Sequence, residues 1–312
     1  MQNKNKGVLI ITEYFYPEEF GINDLALEWK DKGYSVYVLT QSPNYPYDKI
    51  YDGYKNRLFQ KNVWNNIVIY SVFTLLGYQK SVLRKIIHYL VFAIISSIAC
   101  LFIHRKISKV FVYQVGPLTQ IIPGLVLKKL FGKSLFLWVL DLWPDTVFAY
   151  GIKRRRWSET ILRYFVKTSY NLCNHIFVSN DGFKKRIKQY SQKAEITFAP
   201  QWVPKDLNFK DSKPKEDLDG YFNFTFAGNI GKVQNLENII KGFGQAEIKN
   251  NVRLNIIGDG SNLKTLQQLV LHDNINNVIF WGRQPLIEMP MWLLGSDVLI
   301  ISLIDKPNFA LT

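Results

Sequence analysis

Short runs of apolar residues alternate along this chain with longer segments in which apolar positions recur at helical spacing. The first run, at 7–12, predicts a β-strand, and the segment 23–32 predicts a helix that ends at Gly33. Further strands are predicted at 35–40, 67–72, 109–113, 134–140, 175–179 and 195–198. Because strands alternate with helices, the pattern predicts a parallel sheet that is covered on both faces.

The alternation stops at 200–220, which contains Pro200, Pro204 and Pro214 and few apolar residues, and then starts again. Strands are predicted at 221–227, 252–257, 277–281 and 297–302, with helices at 235–243, 263–271 and 288–294. The pattern predicts an α/β protein of two Rossmann-like domains, 1–203 and 221–312, joined by a linker at 204–220. We expect the two domains to face a ligand cleft at the carboxyl ends of their strands.

The second domain is expected to be incomplete. It has about 92 residues after the linker, and the chain stops just beyond a predicted strand with no closing helix. Either this domain is small or the chain is a C-terminally truncated fragment.

The segment 86–103 contains eighteen residues and no charge, with Lys and Arg on both sides. A helix of this length spans about 27 Å, the lower limit for crossing a bilayer. Three interpretations stay open: a membrane-spanning helix, a helix buried against the sheet, and an in-plane or partly inserted membrane contact. The basic flanks favour the last. The basic cluster at 153–157 either adds to the same surface or begins a solvated helix.

Composition and charge narrow the choice of partner. The net charge is +14, and between Tyr78 and Tyr190 there are 19 Lys and Arg against four acidic residues. This indicates an anionic membrane surface or a phosphorylated substrate; no nucleic-acid-binding motif is present. The apolar content excludes a disordered, collagenous or coiled-coil protein. Two cysteines exclude a disulfide scaffold, four scattered histidines show no metal-ligand spacing, and the N-terminus lacks a signal peptide, so we expect a cytoplasmic protein.

Two glycine motifs follow predicted strands of the second domain. The first is Gly228-Asn229-Ile230-Gly231-Lys232, and the second contains Gly258 and Gly260. Glycine allows close approach of the backbone to a phosphate, and the following helix presents free N–H groups. The motifs therefore indicate a nucleotide-diphosphate site, although a plain tight turn also explains Gly258 and Gly260.

Carboxylates follow the strand predicted at 134–140 in the first domain. Asp141 is interpreted as a general base that acts on a hydroxyl, with a structural carboxylate as the alternative. Asp145 has the same possible role or caps the next helix. The proline-rich loop 41–47 is predicted to be rigid and to lie at the same edge of the sheet.

At these residues the sequence resembles a known family, the retaining GT-B glycosyltransferases of family 4. It is similar to enterobacterial O-antigen and colanic-acid enzymes that use amino- or deoxy-sugars. The motifs that carry the resemblance are Tyr16-Pro17-Glu18 with Asn23-Asp24-Leu25-Ala26, Pro43-Asn44-Tyr45-Pro46 with Tyr51-Asp52-Gly53-Tyr54, Leu137 to Asp145, Gly228 to Lys232, and Ile257 to Gly260.

The resemblance implies a reaction and a set of partners. A nucleotide-sugar donor, by resemblance a uridine nucleotide, would bind the second domain through the two glycine motifs, with Gly282 and Arg283 near the nucleobase. The acceptor would be a sugar on a polyprenyl diphosphate, held by the first domain at the membrane. Its site would include Gly21, Asn44, Tyr45 and Asp145, with Asp141 as the catalytic carboxylate. No metal or cofactor is expected, and the protein would be peripheral on the inner face of the cytoplasmic membrane.

Two departures from the family pattern leave alternatives open. Asn229 and Gln234 stand where many members have Arg and Lys, and Lys232 is expected to compensate. The segment that supplies the family's glutamate pair is absent from the sequence. The alternatives are a truncated, non-catalytic protein that docks to the membrane, and a nucleotide-sugar epimerase of the same architecture.

Overall fold

The chain divides into two compact units between Trp202 and Val203. The structure is a computed structural model and describes residues 7–78, 81–149, 155–204, 207–246 and 251–305. The backbone N–H of Lys215, in the predicted linker, donates to the carbonyl of Met291, and Leu218 is buried in the second unit. The later part of the predicted linker is therefore packed on the second unit.

The first unit is built on one eight-stranded sheet with the order β3-β4-β2-β1-β5-β6-β7-β8. Its strands are β1 (Gly7–Ile11), β2 (Val36–Gln41), β3 (Phe59–Trp64), β4 (Ile67–Val72), β5 (Ile107–Gln114), β6 (Ser134–Val139), β7 (His175–Val178) and β8 (Glu195–Phe198). All neighbouring pairs are parallel except β3 with β4.

Helices cover both faces of this sheet. They are α1 (Gly21–Asp31), α2 (Val82–Ile103), α3 (Ile122–Phe131), α4 (Asp145–Ala149), α5 (Arg156–Leu172) and α6 (Gly182–Lys188). Ile22 and Ala26 of α1 pack on one face. Residues of α2, α3, α5 and α6 form the core on the other face. The predicted two-faced α/β layering is therefore present, and the apolar strand residues are buried between the helix layers.

The apolar helix α2 is buried along one side and exposed along the other. Phe92, Ala99 and Ile103 belong to the core, whereas Ile94 and Ile98 are more than half exposed. Among the described residues, Val82–Lys106 is the one helical stretch with the length and composition to cross a bilayer, and 39% of its most apolar window is buried. A fully buried helix is thus excluded, and the side that packs on the sheet is not available to lipid.

The second unit contains a four-stranded parallel sheet with the order β11-β10-β9-β12. Its elements are β9 (Phe222–Ala227), α7 (Leu236–Gln245), β10 (Val252–Ile257), α8 (Leu263–His272), β11 (Val278–Gly282), α9 (Met289–Leu294) and β12 (Val298–Leu299). Side chains of α7 and α8 pack with β9 to β11 in one core. This is the βαβ alternation predicted for the second domain.

The prediction of a parallel sheet was wrong at one edge of the sheet. Strand β3 was not predicted and runs antiparallel to β4. Its residues are mostly exposed, so it has no apolar alternation to reveal it. The turn between the two strands is Asn65-Asn66, with both residues at positive φ, which is the hairpin signal that sequence reasoning missed.

Candidate functional site

Three loops of the second unit are hydrogen-bonded to one another at the carboxyl ends of β9, β10 and β11. The N–H of Gly228 donates to the carbonyl of Ile257 at 3.0 Å, and that of Ile230 donates to Asp259 at 2.8 Å. The N–H of Gly258 donates to the carbonyl of Gly282, also at 2.8 Å. Both predicted glycine motifs and Gly282 therefore lie together in one backbone cluster.

Close backbone packing explains two of these glycines. A Cβ on Gly258, whose φ is +134°, would lie 1.9 Å from the carbonyl oxygen of Gly228. A Cβ on Gly260 would lie 2.5 Å from the carbonyl oxygen of Ile230. Neither position admits a side chain, since atoms cannot approach backbone so closely. Gly258 and Gly260 are thus required for the fold of the cluster.

Three residues of the first glycine motif are exposed at the surface of the cluster. Gly228, Asn229 and Lys232 are exposed. Lys232 begins a single 3₁₀ turn, after which α7 begins at Leu236, so the motif does not lead straight into a helix. The N–H of Gly231 donates to the side-chain oxygen of Gln234 at 3.1 Å.

The two residues that depart from the family's Arg and Lys, Asn229 and Gln234, have different roles in the structure. The amide of Gln234 closes the turn, whereas Asn229 and Lys232 face solvent. Arg283 follows Gly282 and is exposed, so a second cation stands next to the same cluster. The exposed backbone at Gly228 and Asn229, with these cations beside it, is a chemically suitable surface for phosphate.

In the first unit, a buried carboxylate joins the loops that follow β1 and β2. Glu18 accepts backbone hydrogen bonds from Phe15 at 3.2 Å, Asn44 at 2.8 Å and Tyr45 at 2.7 Å. Burial raises the pKa of Glu18 to about 7, and the three N–H donors limit the rise. Sequence reasoning quoted Glu18 only as part of a motif and missed this role.

The predicted acceptor-side residues of these loops take different positions. The Asn44 side chain is buried and donates to the carbonyl of Ser42 at 2.9 Å, so it holds the loop. The Tyr45 ring packs against Tyr14 at 5.0 Å between centroids. Gly21 begins α1, and a Cβ there would lie 3.9 Å from the Tyr113 hydroxyl. None of these contacts involves Asp141.

Glu13, directly after β1, is a second carboxyl that sequence reasoning missed. It is 1% exposed, one of its carboxyl oxygens has no hydrogen-bond partner, and burial raises its pKa to about 8. It is therefore mainly protonated at neutral pH. It lies two residues past the end of a strand, as Asp141 does, and this is the same signal that identified Asp141.

Asp141 lies two residues past the end of β6, in an environment that raises the pKa of its carboxyl. Burial raises its pKa to about 6, against opposing hydrogen bonds from Thr146 and Trp143 and the charge of Lys85. Its backbone carbonyl accepts a hydrogen bond from the Gln114 amide at 2.8 Å. A carboxylate with a pKa near neutrality suits proton transfer.

Asp145 is held in an ion pair. Its two carboxylate oxygens accept hydrogen bonds from Arg186 at 2.7 and 2.8 Å, and its side chain is 3% exposed. It stands at the start of α4. The bidentate pair joins α4 to α6, which gives Asp145 a structural role other than the suggested helix cap. Its role at the acceptor stays a prediction.

The described parts of the chain contain no cluster of metal ligands, and their two thiols are buried. Within these residues, no three His, Cys, Asp or Glu side chains come together to hold a metal ion. Cys100 and Cys173 are buried, and burial raises the pKa of each thiol to about 12. The thiols are therefore unsuited to act as nucleophiles.

Comparison with known protein families finds a match in the second unit. Residues 208–309 match the family "Glycosyl transferases group 1", and the matched segment contains the whole glycine-loop cluster. The match lies within the second unit, so it is this part of the chain that is similar to group 1 glycosyltransferases. The predicted enzyme class is thereby confirmed.

Two curated relatives support the same assignment. The "Probable glycosyltransferase WbjE" of Pseudomonas aeruginosa is 25% identical over 54% of this chain and 44% of its own length. The "Putative colanic acid biosynthesis glycosyl transferase WcaI" of Escherichia coli K12 is 22% identical over 93% of this chain and 75% of its own length. The second relative confirms the predicted resemblance to colanic-acid enzymes at this level. The region of this chain that aligns with WbjE covers less than half of the length of WbjE.

Solved structures confirm the fold of this chain. Sucrose-phosphate synthase from Thermosynechococcus elongatus aligns with a TM-score of 0.70 at 12% identity, over 95% of this chain and 75% of that one. Anabaena HepE in complex with UDP-glucose aligns with a TM-score of 0.63 at 10% identity, over 95% and 74%. The predicted GT-B class is therefore correct.

Proposed function

We propose that this protein is a retaining glycosyltransferase of bacterial surface-polysaccharide synthesis. It moves a sugar from a nucleotide-sugar to an acceptor sugar on a polyprenyl diphosphate. The observation that carries the proposal is the group 1 family match over the unit that contains the three linked glycine loops and the exposed Lys232. The relative WcaI, a putative colanic acid biosynthesis glycosyl transferase, supports the polysaccharide context.

The donor site is proposed at the glycine-loop cluster. Gly228 and Asn229 offer exposed backbone to the diphosphate, Gly231 shapes the turn that leads to Lys232, and Lys232 and Arg283 offer positive charge. A uridine nucleotide is proposed because the fold neighbour HepE was solved with UDP-glucose. No metal is required, since fixed donors and cations meet the negative charge that develops on the leaving diphosphate.

Asp141 is proposed as the base on the acceptor. Its carboxylate takes the proton of the acceptor hydroxyl, whose oxygen bonds to the anomeric carbon from the same face that the diphosphate leaves, as retention of configuration requires. The bond from that carbon to the diphosphate breaks, and the diphosphate leaves with the electron pair. A pKa of about 6 leaves Asp141 mostly ionised at neutral pH and still able to hold a proton.

The membrane partner is proposed on the exposed side of α2, which we call the α2 outer face. It consists of Leu83, Leu90, Ile94, Ile98 and Phe102, all exposed. No Asp or Glu occurs between Asp52 and Asp141, a stretch that contains twelve Lys and Arg. Apolar side chains with neighbouring cations match an anionic lipid surface. The protein would then be peripheral on the inner face of the cytoplasmic membrane.

A direct transfer assay tests the proposal. The purified chain is incubated with a panel of UDP-sugars and a synthetic polyprenyl-diphosphate-linked sugar, and products are identified by mass spectrometry and NMR. We expect a glycosylated lipid with the anomeric configuration of the donor, at a rate that EDTA leaves unchanged. Conversion of the donor without an acceptor indicates an epimerase. Donor binding with no turnover indicates a non-catalytic protein, and either result contradicts the proposal.

A further inference from the structure

Helix α5 exposes large apolar side chains on the side that faces away from the sheet. Val166 and Tyr170 of this helix are buried in the core of the first unit. Trp157, Ile161 and Tyr164 lie on the opposite side and are 64%, 61% and 72% exposed. Their spacing of four and three residues places them in one row along the helix. A surface helix ordinarily presents polar side chains there, so this apolar row needs an explanation.

A row of basic residues runs beside the apolar row. Arg156, Arg163 and Lys167 are exposed and lie about a quarter turn from it round the helix. Glu159 is the one acidic residue of α5, and Arg163 pairs with it at 2.8 Å. Of the basic cluster predicted at 153–157, the first two residues lie outside the described residues. The helix therefore has a surplus of positive charge next to its apolar row.

The apolar row belongs to a larger surface that three neighbouring helices form. Helix α3 touches both α2 and α5, and all three helices pack their buried side chains on the same face of the sheet. Their outer sides therefore point the same way, away from the sheet. Between the two longer helices, α3 exposes Leu130. The apolar row of α5 and the α2 outer face thus lie on one side of the first unit.

The chemistry of these side chains favours an anionic lipid bilayer as the partner. Tryptophan and tyrosine are enriched where bilayers meet water, because their rings have an apolar body and a polar tip. Apolar side chains with Lys and Arg beside them are typical of helices that lie in the plane of a bilayer interface. A second copy of this chain fits less well, since two such faces would bring the basic rows of both copies together.

We propose that α5 lies on an anionic bilayer and is a membrane contact of its own, separate from the α2 outer face. Trp157, Ile161 and Tyr164 enter the boundary between headgroups and acyl chains, and Arg156 and Lys167 attract the anionic headgroups. That this bilayer also holds the acceptor rests on the proposed function. Contact of α5 with lipid does not, because donor, acceptor and turnover play no part in it.

A fluorescent probe on α5 reports this contact separately from α2. In the full chain, Thr160→Cys places an exposed thiol beside the apolar row, and it can be labelled selectively because Cys100 and Cys173 are buried. We expect the emission of an environment-sensitive dye there to shift to the blue on vesicles of phosphatidylcholine with phosphatidylglycerol. Thr265→Cys, at an exposed threonine of α8 in the second unit, is the matched control and should not respond.

Substitutions in the apolar row test its share of the binding by vesicle co-sedimentation. Ile161→Gln with Tyr164→Gln should weaken binding about tenfold, because less apolar area leaves water. The thermal midpoint should not fall, since both side chains are exposed in the fold. Leu271→Gln with Ile287→Gln changes two exposed apolar residues of the second unit and should have no effect on binding.

Substitutions in the basic row test the charge preference. Arg156→Gln with Lys167→Gln should weaken binding to phosphatidylglycerol vesicles about tenfold and leave the weaker binding to pure phosphatidylcholine unchanged. Lys210→Gln with Lys264→Gln removes the same charge from two exposed lysines of the second unit and should leave both affinities unchanged.

A vesicle-bound protein whose dye on α5 does not respond overturns the proposal and leaves the α2 outer face as the membrane contact. Vesicle binding that the apolar and basic pairs leave unchanged also overturns it. So does a wild-type dimer, seen by sedimentation velocity, that Ile161→Gln with Tyr164→Gln converts to monomer, because the row then belongs to a second copy. A protein whose α5 binds lipid but that transfers no sugar contradicts the proposed function only.

Discussion

Asp141 is the residue at which the chemistry of the first unit can be tested most directly. If it is the acceptor base, it must be ionised, and burial has raised its pKa to about 6. We therefore expect kcat/KM for transfer to fall as the pH drops below about 6 and to level off above it. A pH–rate profile from 5 to 8 measures this. Asp141→Asn should abolish transfer with the Kd of UDP unchanged, and loss of UDP binding as well would contradict the assignment.

The raised pKa of Glu13 leads us to expect that the stability of the first unit depends on pH. Its pKa is about 8 in the fold, against 4.5 for an ordinary glutamate. The folded state thus keeps a proton that the unfolded state releases, so stability falls as the pH rises from about 4.5 to 8. Glu18 acts in the same direction, with a pKa of about 7.

The Glu13→Gln variant tests this dependence. It keeps the neutral shape and should be more stable than wild type at pH 8, by a few kcal/mol at most. The difference should disappear near pH 4.5. Unfolding followed by tryptophan fluorescence across this pH range measures it. A constant difference between the two proteins at all pH values would show that the carboxyl does not titrate as described.

Lys232 tests the donor site at the residue scale. Lys232→Ala should weaken UDP binding by ~1.5–3 kcal/mol, because a charge-assisted contact to the diphosphate is lost. Isothermal titration with UDP measures the change. Lys264→Ala is the control, since Lys264 is an exposed lysine of α8, outside the glycine-loop cluster. An unchanged Kd in Lys232→Ala would remove this lysine from the site.

The glycine-loop cluster behaves as one element of the second unit. Gly258→Ala should destabilise this unit by more than ~2 kcal/mol, because the added Cβ meets a backbone oxygen at a strained φ. UDP binding should be lost with it. Gly242→Ala is the matched control on α7, where nothing lies within 4 Å of the new Cβ. It should stabilise the unit by ~0.5–1 kcal/mol. Denaturant unfolding compares the two, and equal effects would refute the close packing of the loops.

Comparison of predicted and observed strand boundaries shows how well the local sequence pattern locates strands. Strands at 67–72, 195–198 and 252–257 were predicted with the bounds that the structure has. The strand predicted at 297–302 is paired only at Val298–Leu299. Strand β3 was missed because edge strands need not bury either face, so period-two alternation fades.

The α2 outer face carries the prediction for the whole molecule. Wild type should co-sediment with vesicles that contain phosphatidylglycerol, and less so in high salt. The pair Ile94→Gln and Ile98→Gln should reduce binding at least tenfold, since the two exposed side chains contribute ~2–3 kcal/mol when buried in lipid. Leu271→Gln, an exposed leucine on α8 of the second unit, is the control and should have no effect. Equal binding by all three proteins would contradict this membrane partner.

The sequence by itself determined the α/β class, the restart of the fold after residue 200, and the glycine loops, because strand and helix periods and glycine positions are local properties. Tertiary structure alone decided the charge state of Glu13, the pairing of Asp145 with Arg186, and which side of α2 is exposed. The physical reason is that burial and ion pairing depend on residues far apart in the chain. Asp145 and Arg186 are 41 positions apart and meet only because α4 and α6 come together in the folded unit.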